Sequence, residues 1–292
     1  MNSAKSVSIL DFIGHTNIYL AVAAAVTSYV SLKLINAPSD ITVPMIAFLV
    51  TFSIYNFNRK TDVEEDAINY PERLKFFRRY GNYSIGAAIA CYLFAIFLAS
   101  FKGLVTVLVV LIPLILGIVY SVRWVPRRLS EEIGFSRLKE RAYTKDFIVA
   151  LGWASGMAFV PMSYFSMGIT SAVLALFFFI FLRVFITTVV FDMRDIKGDG
   201  ERGINSIPIA IGFHRSRLLA ALLNTVSASL VIVAVFNGWL PPLTLFINLI
   251  SIYCFAYLYL FPRYESKFFY DFIVDGEYIV IGILAWMGTL IV

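Results

Sequence analysis

Nine apolar runs of about 20 residues divide this chain, and a run of that length is what a helix needs to cross a bilayer. They fall near 16–36, 42–61, 83–101, 103–122, 146–166, 169–191, 213–237, 240–261 and 272–292. Sixty per cent of the 292 residues are hydrophobic and only 15% are charged. A soluble domain is nearer half apolar and a quarter charged. The runs are too long and too continuous for the alternating pattern of a β-barrel. The fold expected is all-α: a polytopic membrane protein of about nine transmembrane helices around a central cavity, as one domain over 1–292. Turn signals fit the gaps, with Asn36-Ala37-Pro38-Ser39 at one and Asn237-Gly238 followed by Pro241-Pro242 at another. Only Lys102-Gly103 separates the third run from the fourth, and Asp271, Asp275 and Glu277 weaken the start of the last.

Charge sets the orientation. Lys5 and the segments 59–79, 123–145, 194–217 and 263–267 hold all but three of the 24 Lys and Arg residues. Nine spans put every one of these segments on the side of the N-terminus. By the positive-inside rule that side is cytoplasmic, which predicts an integral protein of the cell membrane. The net charge of +5 is thus an orientation signal, and no nucleic-acid-binding module accompanies it. Cys91 and Cys254 sit inside apolar runs, where packing is their expected role. His15 and His214 lie near the starts of apolar runs and are not expected to be metal ligands. No cleavable signal peptide is evident, because the first run is too long for an h-region.

Two acidic clusters stand at corresponding places, each at the end of a long apolar run. The first is Asn58-Arg59-Lys60-Thr61-Asp62-Val63-Glu64-Glu65-Asp66 and the second Asp192-Met193-Arg194-Asp195-Ile196-Lys197-Gly198-Asp199. At about 100° per residue, Asn58, Asp62 and Asp66 lie within roughly 80° of one another on a helix. Asp192, Asp195 and Asp199 lie within roughly 60°. Each cluster is one carboxylate face at a membrane boundary. Oxygen-only ligand sets suit Mg²⁺, which usually carries substrate phosphates when few carboxylates hold it. The second cluster follows the first by four spans, which points to a parallel internal repeat, spans 1–4 and 5–8, with an extra helix.

This combination fits chemistry on a prenyl diphosphate. Breaking the allylic C–O bond gives a carbocation and free diphosphate. Carboxylate-held metal with Lys or Arg neutralises the leaving group, and an apolar pocket keeps water away. Lys145 opens the fifth run beside Asp146 and is a candidate diphosphate ligand, as are Arg59, Arg73 and Arg202. The 27 Phe and other aromatic residues are numerous enough to line a tail channel and to face a cation.

These residues carry a resemblance to the UbiA-type intramembrane prenyltransferase superfamily. That family has Asn-Asp-x-x-Asp-x-x-x-Asp after its second helix and Asp-x-x-Asp-x-x-x-Asp after its sixth. Here Asn58, Asp62 and Asp66 keep the first spacing, and Asp192, Asp195 and Asp199 keep the second. Asn69-Tyr70-Pro71-Glu72-Arg73 is similar to the family's Asn-x-Pro-x-Arg segment. Gly198-Asp199, Arg202-Gly203, Ile207-Pro208 and Gly212 are similar to the tract after the second motif. Tyr120-Ser121 and Lys145 also match. The resemblance implies Mg²⁺ held by Asn58, Asp62, Asp66, Asp192, Asp195 and Asp199, with Asp62, Asp66, Asp192 and Asp195 as the catalytic set. It implies transfer from a prenyl diphosphate to a hydrophobic acceptor in the bilayer: an aromatic acid, quinone precursor or lipid. One departure stands out: Arg59 occupies the place of the family's first Asp. It removes a potential ligand and adds a cation that can contact a diphosphate oxygen.

Arg183 lies within the sixth run, about 13 Å along the helix from Asp192 and rotated about 180° from it. An ionisable group at that depth is by default functional. It pairs with another helix or reaches an acceptor carboxylate, and it is carried forward as a candidate acceptor ligand. Two other functions fit parts of the pattern. A terpene cyclase of the same fold would quench the cation with its own tail. A transporter would place its acids near the midplane at broken helices, whereas here they cluster at one membrane face.

Overall fold

The computed structural model of the chain describes residues 13, 15–61, 71–121, 143–201, 203–260 and 269–291. Every apolar run expected to span the membrane coincides with helix. In chain order these are α1 (Ile18–Leu34), α2 (Thr42–Thr61), α3 (Pro71–Ser100), α4 (Leu104–Ser121), α5 (Thr144–Tyr164), α6 (Ser171–Glu201), a short α7 (Ile207–Ile211) and α8 (Phe213–Phe236). A short α9 (Thr244–Ile247), α10 (Ile250–Leu260), a π-helical turn (Phe269–Val274) and α11 (Glu277–Ile291) complete the described residues, which contain no strand. In hydrocarbon each backbone N–H and C=O must be satisfied within its own segment, and helices do this.

Among the described residues, five helical stretches are long and apolar enough to cross a membrane: α3, α5, α6, α8 and Phe272–Ile291. Shorter apolar helices occupy Ile18–Leu34, Leu104–Tyr120 and Thr244–Leu260. The molecule is an integral membrane protein, and its outward surface shows why. Leu93, Phe97, Leu108, Leu222, Val226, Ile252 and Trp286 all point outward and exposed, a belt that water would not tolerate and lipid does.

Three boundaries differ from the hydropathy pattern. α3 begins at Pro71, a residue suited to a first helical position, and so extends the third span well beyond its apolar part. The run at 240–261 is broken into α9 and α10 around Asn248, whose side-chain amide bonds Ala228 O on α8 at 3.3 Å. The run at 272–292 is interrupted at Asp275-Gly276, between the π-helical turn and α11. Elsewhere the turn signals act as read: Gly103 and Gly238 take φ of 103° and 69° at the α3–α4 and α8–α9 turns, values that a glycine adopts without strain.

The helices close into a ring. α1 packs on α2, α2 on α3 and α4, α4 on α5, α5 on α6, α6 on α8, α8 on α10, α10 on α11, and α11 back on α1. α1 and α11 approach closely, since a Cβ at Gly282 would come within 2.2 Å of Val26 Cγ1. At the charge-poor end, three turns are clasped together. Tyr164 donates to Asp40 Oδ2 at 2.9 Å, the Thr42 amide donates to Asp40 Oδ1 at 2.8 Å, and Lys102 sits 4.5 Å over the Tyr164 ring. Burial raises the Asp40 carboxyl, but these hydrogen bonds and the Lys102 charge outweigh it and hold the group below its ordinary value. The acidic clusters belong to the other end of the ring.

Candidate active site

A cavity of about 360 Å³ runs up the inside of the ring from its charged end. Its mouth is polar, with Asn17 of the turn before α1, Asn58 and Arg59 of α2, Lys145 of α5, Arg194, Asp195 and Asp199 of α6, and Asp275. Deeper in, the lining becomes apolar: Ile46, Ala47 and Val50 from α2, Val110 and Pro113 from α4, and Met157 and Val160 from α5. Gly117, Gly152 and Gly156 also line it. A Cβ at any of the three would meet its nearest neighbour at ordinary contact distance, 3.7 to 3.9 Å, so their hydrogens leave open space without any need for glycine in the backbone.

α6 continues as helix to Glu201, and this puts the second acidic cluster on one face. Asp195 and Asp199 line the cavity, while Asp192 stands one layer behind and is 1% exposed. Asp192 Oδ1 takes a bond of 2.5 Å from Lys145 Nζ, which lies 4.0 Å from Asp199 Oδ2. Asp195 accepts both Nε and Nη2 of Arg194 at 2.8 Å, and that guanidinium lies 4.7 Å over the Phe191 ring. Arg59 Nη2 donates to Asn17 Oδ1 at 2.7 Å, so the residue that departs from the family motif is anchored at the cavity wall.

The other site residues expected from sequence have separate fates. Asp62, Asp66 and Arg202 lie outside the described residues. Arg73 falls in the first turn of α3, and its side chain lies outside them as well. Arg183 does not reach the cavity wall. It is fully buried and ion-paired to Glu277 of α11, Nε to Oε1 at 2.5 Å. Arg183 thus pairs with another helix, the first of the two alternatives read from its position.

Oxygen ligands for a cation are present. Asp192 Oδ2 and Asp199 Oδ2 are buried and accept no hydrogen bond, although the Lys145 ammonium lies 4.0 Å from the latter. Buried carboxylate oxygens left in that state are costly, and a hard divalent ion would satisfy them. This donor set fits Mg²⁺. Among the described residues no three acids converge into a complete metal shell, and the first motif's Asp62 and Asp66 lie outside them.

Sequence reading passed over several lining residues. Asp275 was noted only as an interruption of the last run. Tyr55, Trp153 and Tyr278 form a collar below the polar mouth: Trp153 Nε1 donates to Tyr55 OH at 3.0 Å, and Tyr278 stacks on Trp153 with centroids 5.1 Å apart. Each is an ordinary aromatic residue in a membrane span, and only the ring closure brings α2, α5 and α11 together.

The model of the UbiA prenyltransferase family matches residues 17–272. The chain belongs to the UbiA prenyltransferase family. It is therefore a prenyltransferase; the site just described lies within the matched region except for Asp275 and Tyr278, which fall just beyond it. A relative is the digeranylgeranylglyceryl phosphate synthase of Methanothermobacter thermautotrophicus, 28% identical over 230 residues that cover 76% of this chain and 75% of that one. Among solved structures, a UbiA homologue from Archaeoglobus fulgidus bound to GPP and Mg²⁺ superposes with a TM-score of 0.62 at 14% identity, covering 95% of this chain and 98% of that one. The apo UbiA homologue from Aeropyrum pernix K1 gives 0.65 at 16% identity, covering 94% and 98%. These structural likenesses show the fold.

Proposed function

We propose that this prenyltransferase moves a prenyl group from a prenyl diphosphate to the hydroxyl of a glyceryl lipid phosphate within the bilayer, in an Mg²⁺-dependent reaction. The observation that carries the reading is the polarity of one cavity: Lys145, Arg194 and Arg59 among carboxylates at its mouth, and an apolar channel beneath. A diphosphate with a hydrocarbon tail has the same polarity. The activity of the Methanothermobacter relative supports a glyceryl phosphate rather than an aromatic or quinone-precursor acceptor. Two related four-helix halves, spans 1–4 and 5–8, would each deliver one acidic face, the mouth being cytoplasmic.

The chain's own groups then divide the work. Lys145 and Arg59 at the mouth, with Arg73 and Arg202 carried from the sequence motifs, bind diphosphate oxygens and offset the charge that grows as the allylic C–O bond breaks. The bond's electron pair leaves with the diphosphate. C1 takes a lone pair from the acceptor hydroxyl, whose proton is released. The apolar channel orients the tail and excludes water. Asn58, Asp62 and Asp66 on one side, and Asp192, Asp195 and Asp199 on the other, would hold Mg²⁺. Its chemistry when bound is neutralisation of the diphosphate charge.

Diphosphate release by the purified protein tests this reading, with Mg²⁺ and geranylgeranyl diphosphate, in the presence or absence of geranylgeranylglyceryl phosphate. Release that depends on the acceptor, with a new ether lipid by mass spectrometry, is the expected result. Release without acceptor and with a cyclic product would make the enzyme a cyclase. Release that depends on a membrane extract, with the glyceryl phosphate inert, would move the acceptor to another class.

A further inference from the structure

Arg183 and Glu277 form a buried ion pair that the transfer reaction does not use directly. Neither lines the cavity, and both are 0% exposed. Most of their polar atoms have partners, Arg183 Nη2 being the exception. Arg183 Nη1 donates to Asn224 Oδ1 on α8, whose amide donates to Ser251 O on α10 at 3.0 Å. Tyr257 of α10 donates to Glu277 Oε2 at 2.8 Å. Four helices, α6, α8, α10 and α11, thus converge on one carboxylate and one guanidinium. Two charges in hydrocarbon are costly even when paired, and apolar packing of the same volume is often as stable. Helix association alone does not explain the pair.

What the pair fixes is the first turn of α11. Glu277 points back to Arg183, and the next residue, Tyr278, points into the cavity. Tyr278 OH bonds Thr187 Oγ1 at 2.9 Å, and Thr187 is one helical turn from Arg183 on α6. The Tyr278 ring stacks on Trp153 at 22°, and Trp153 bonds Tyr55. Tyr55 lies about 4.5 Å along α2 from Asn58, and Thr187 about 7.5 Å along α6 from Asp192. This collar therefore sits just below the acidic tier, at the level where the first carbons of a tail follow a diphosphate held in the mouth.

We propose that the Arg183–Glu277 pair is a positioning device: it holds Tyr278 against Trp153, and the resulting collar keeps water from the allylic carbon when the diphosphate leaves. The inference rests on the donor-pocket reading above. Two nucleophiles compete for C1. The acceptor hydroxyl attacks, loses its proton and gives the ether. Water attacks, loses a proton and gives the prenyl alcohol. An intact collar favours the ether; a displaced Tyr278 admits water. The ratio of alcohol to ether reports collar geometry in a way that fold stability alone does not.

The test is that product ratio, measured for wild type, Glu277→Gln, and the paired replacement Arg183→Leu/Glu277→Leu. The paired replacement removes both charges together, which keeps the helices packed. The expected result is an alcohol fraction at least threefold above wild type in both variants, with thermal melts showing folded protein and diphosphate release within about threefold of wild type. Trp153→Leu, which opens the collar directly, should give the same rise. A folded paired variant with the wild-type ratio overturns the proposal, as does a rise confined to Trp153→Leu. Failure of the donor reading has a different signature: wild type itself would release no diphosphate from any prenyl diphosphate.

Discussion

Lys145 and Asp192 meet at 2.5 Å, a bond that ties the first turn of α5 to the acid-bearing end of α6. Asp192 is 1% exposed and Lys145 27%, so the carboxylate is sealed behind an ammonium that faces the cavity. The cation has two tasks: it compensates a buried acid, and it presents positive charge to whatever fills the mouth.

Lys145→Met should separate these tasks. Losing the charge at the diphosphate should lower kcat/KM about 10²-fold. Leaving Asp192 uncompensated should cost on the order of 3 kcal/mol of stability. Steady-state kinetics and a thermal melt measure the two effects. Lys145→Arg, which keeps the charge, should recover most of the stability and part of the rate. Full activity in Lys145→Met would remove the residue from the donor site.

Arg59 is the other cation at the mouth, and it stands where the family has an acid. Its bond to Asn17 at 2.7 Å aims it along the cavity wall. Arg59→Asp adds a carboxylate beside Asn58 and removes a guanidinium from the diphosphate. The expected outcome is a lower Mg²⁺ concentration for half-maximal rate together with a higher KM for the prenyl diphosphate. Titrations of metal and donor measure both. If neither moves, Arg59 serves only to hold the turn before α1.

Much of this was legible in the sequence, and the parts that were not share a cause. Apolar run length locates helices because hydrocarbon permits little else. The second acidic face was readable because α6 stays helical through Asp199, which preserves the spacing. Even the 180° offset between Arg183 and Asp192 anticipated that Arg183 would look away from the acids. The break at Asn248 was hidden, since residues 240–261 are apolar throughout and what the break accommodates is a contact with α8. The layering of Asp192 behind Asp195 was hidden too, because periodicity gives a face and not a depth. The Tyr55–Trp153–Tyr278 collar joins residues more than 200 positions apart, and nothing local marks them.

Channel length should determine the donor. Gly156 lies about 16 Å along α5 from Lys145, and its Cβ position is 3.8 Å from Pro113 Cγ. A Cβ at Gly156 meets its nearest neighbour at ordinary contact distance, and the rest of a Gly156→Leu side chain should fill the channel at that depth. A four-isoprene tail reaches the obstruction and a two-isoprene tail ends short of it. The variant should lose at least tenfold in kcat/KM for geranylgeranyl diphosphate, a size expected for steric exclusion from an apolar pocket. It should stay within about twofold of wild type for geranyl diphosphate. Equal losses for both donors would place the tail in another channel.

Metal dependence is testable without reference to the acceptor. Asp192 Oδ2 and Asp199 Oδ2 are buried and accept no hydrogen bond, the one Lys145 ammonium serves both carboxylates at 2.5 and 4.0 Å, and the other two basic residues at the mouth have partners of their own: Arg194 with Asp195 and Arg59 with Asn17. Excess chelator should therefore stop diphosphate release, and Mg²⁺ should restore it better than Ca²⁺, whose larger and looser shell suits a compact diphosphate clamp less well. Asp195→Asn keeps the shape of the side chain but removes its charge. It should lower kcat by about 10² or more and raise the Mg²⁺ needed for half-maximal rate. Release that continues in chelator, together with an Asp195→Asn enzyme of normal metal response, would mean that the basic residues alone carry the diphosphate charge.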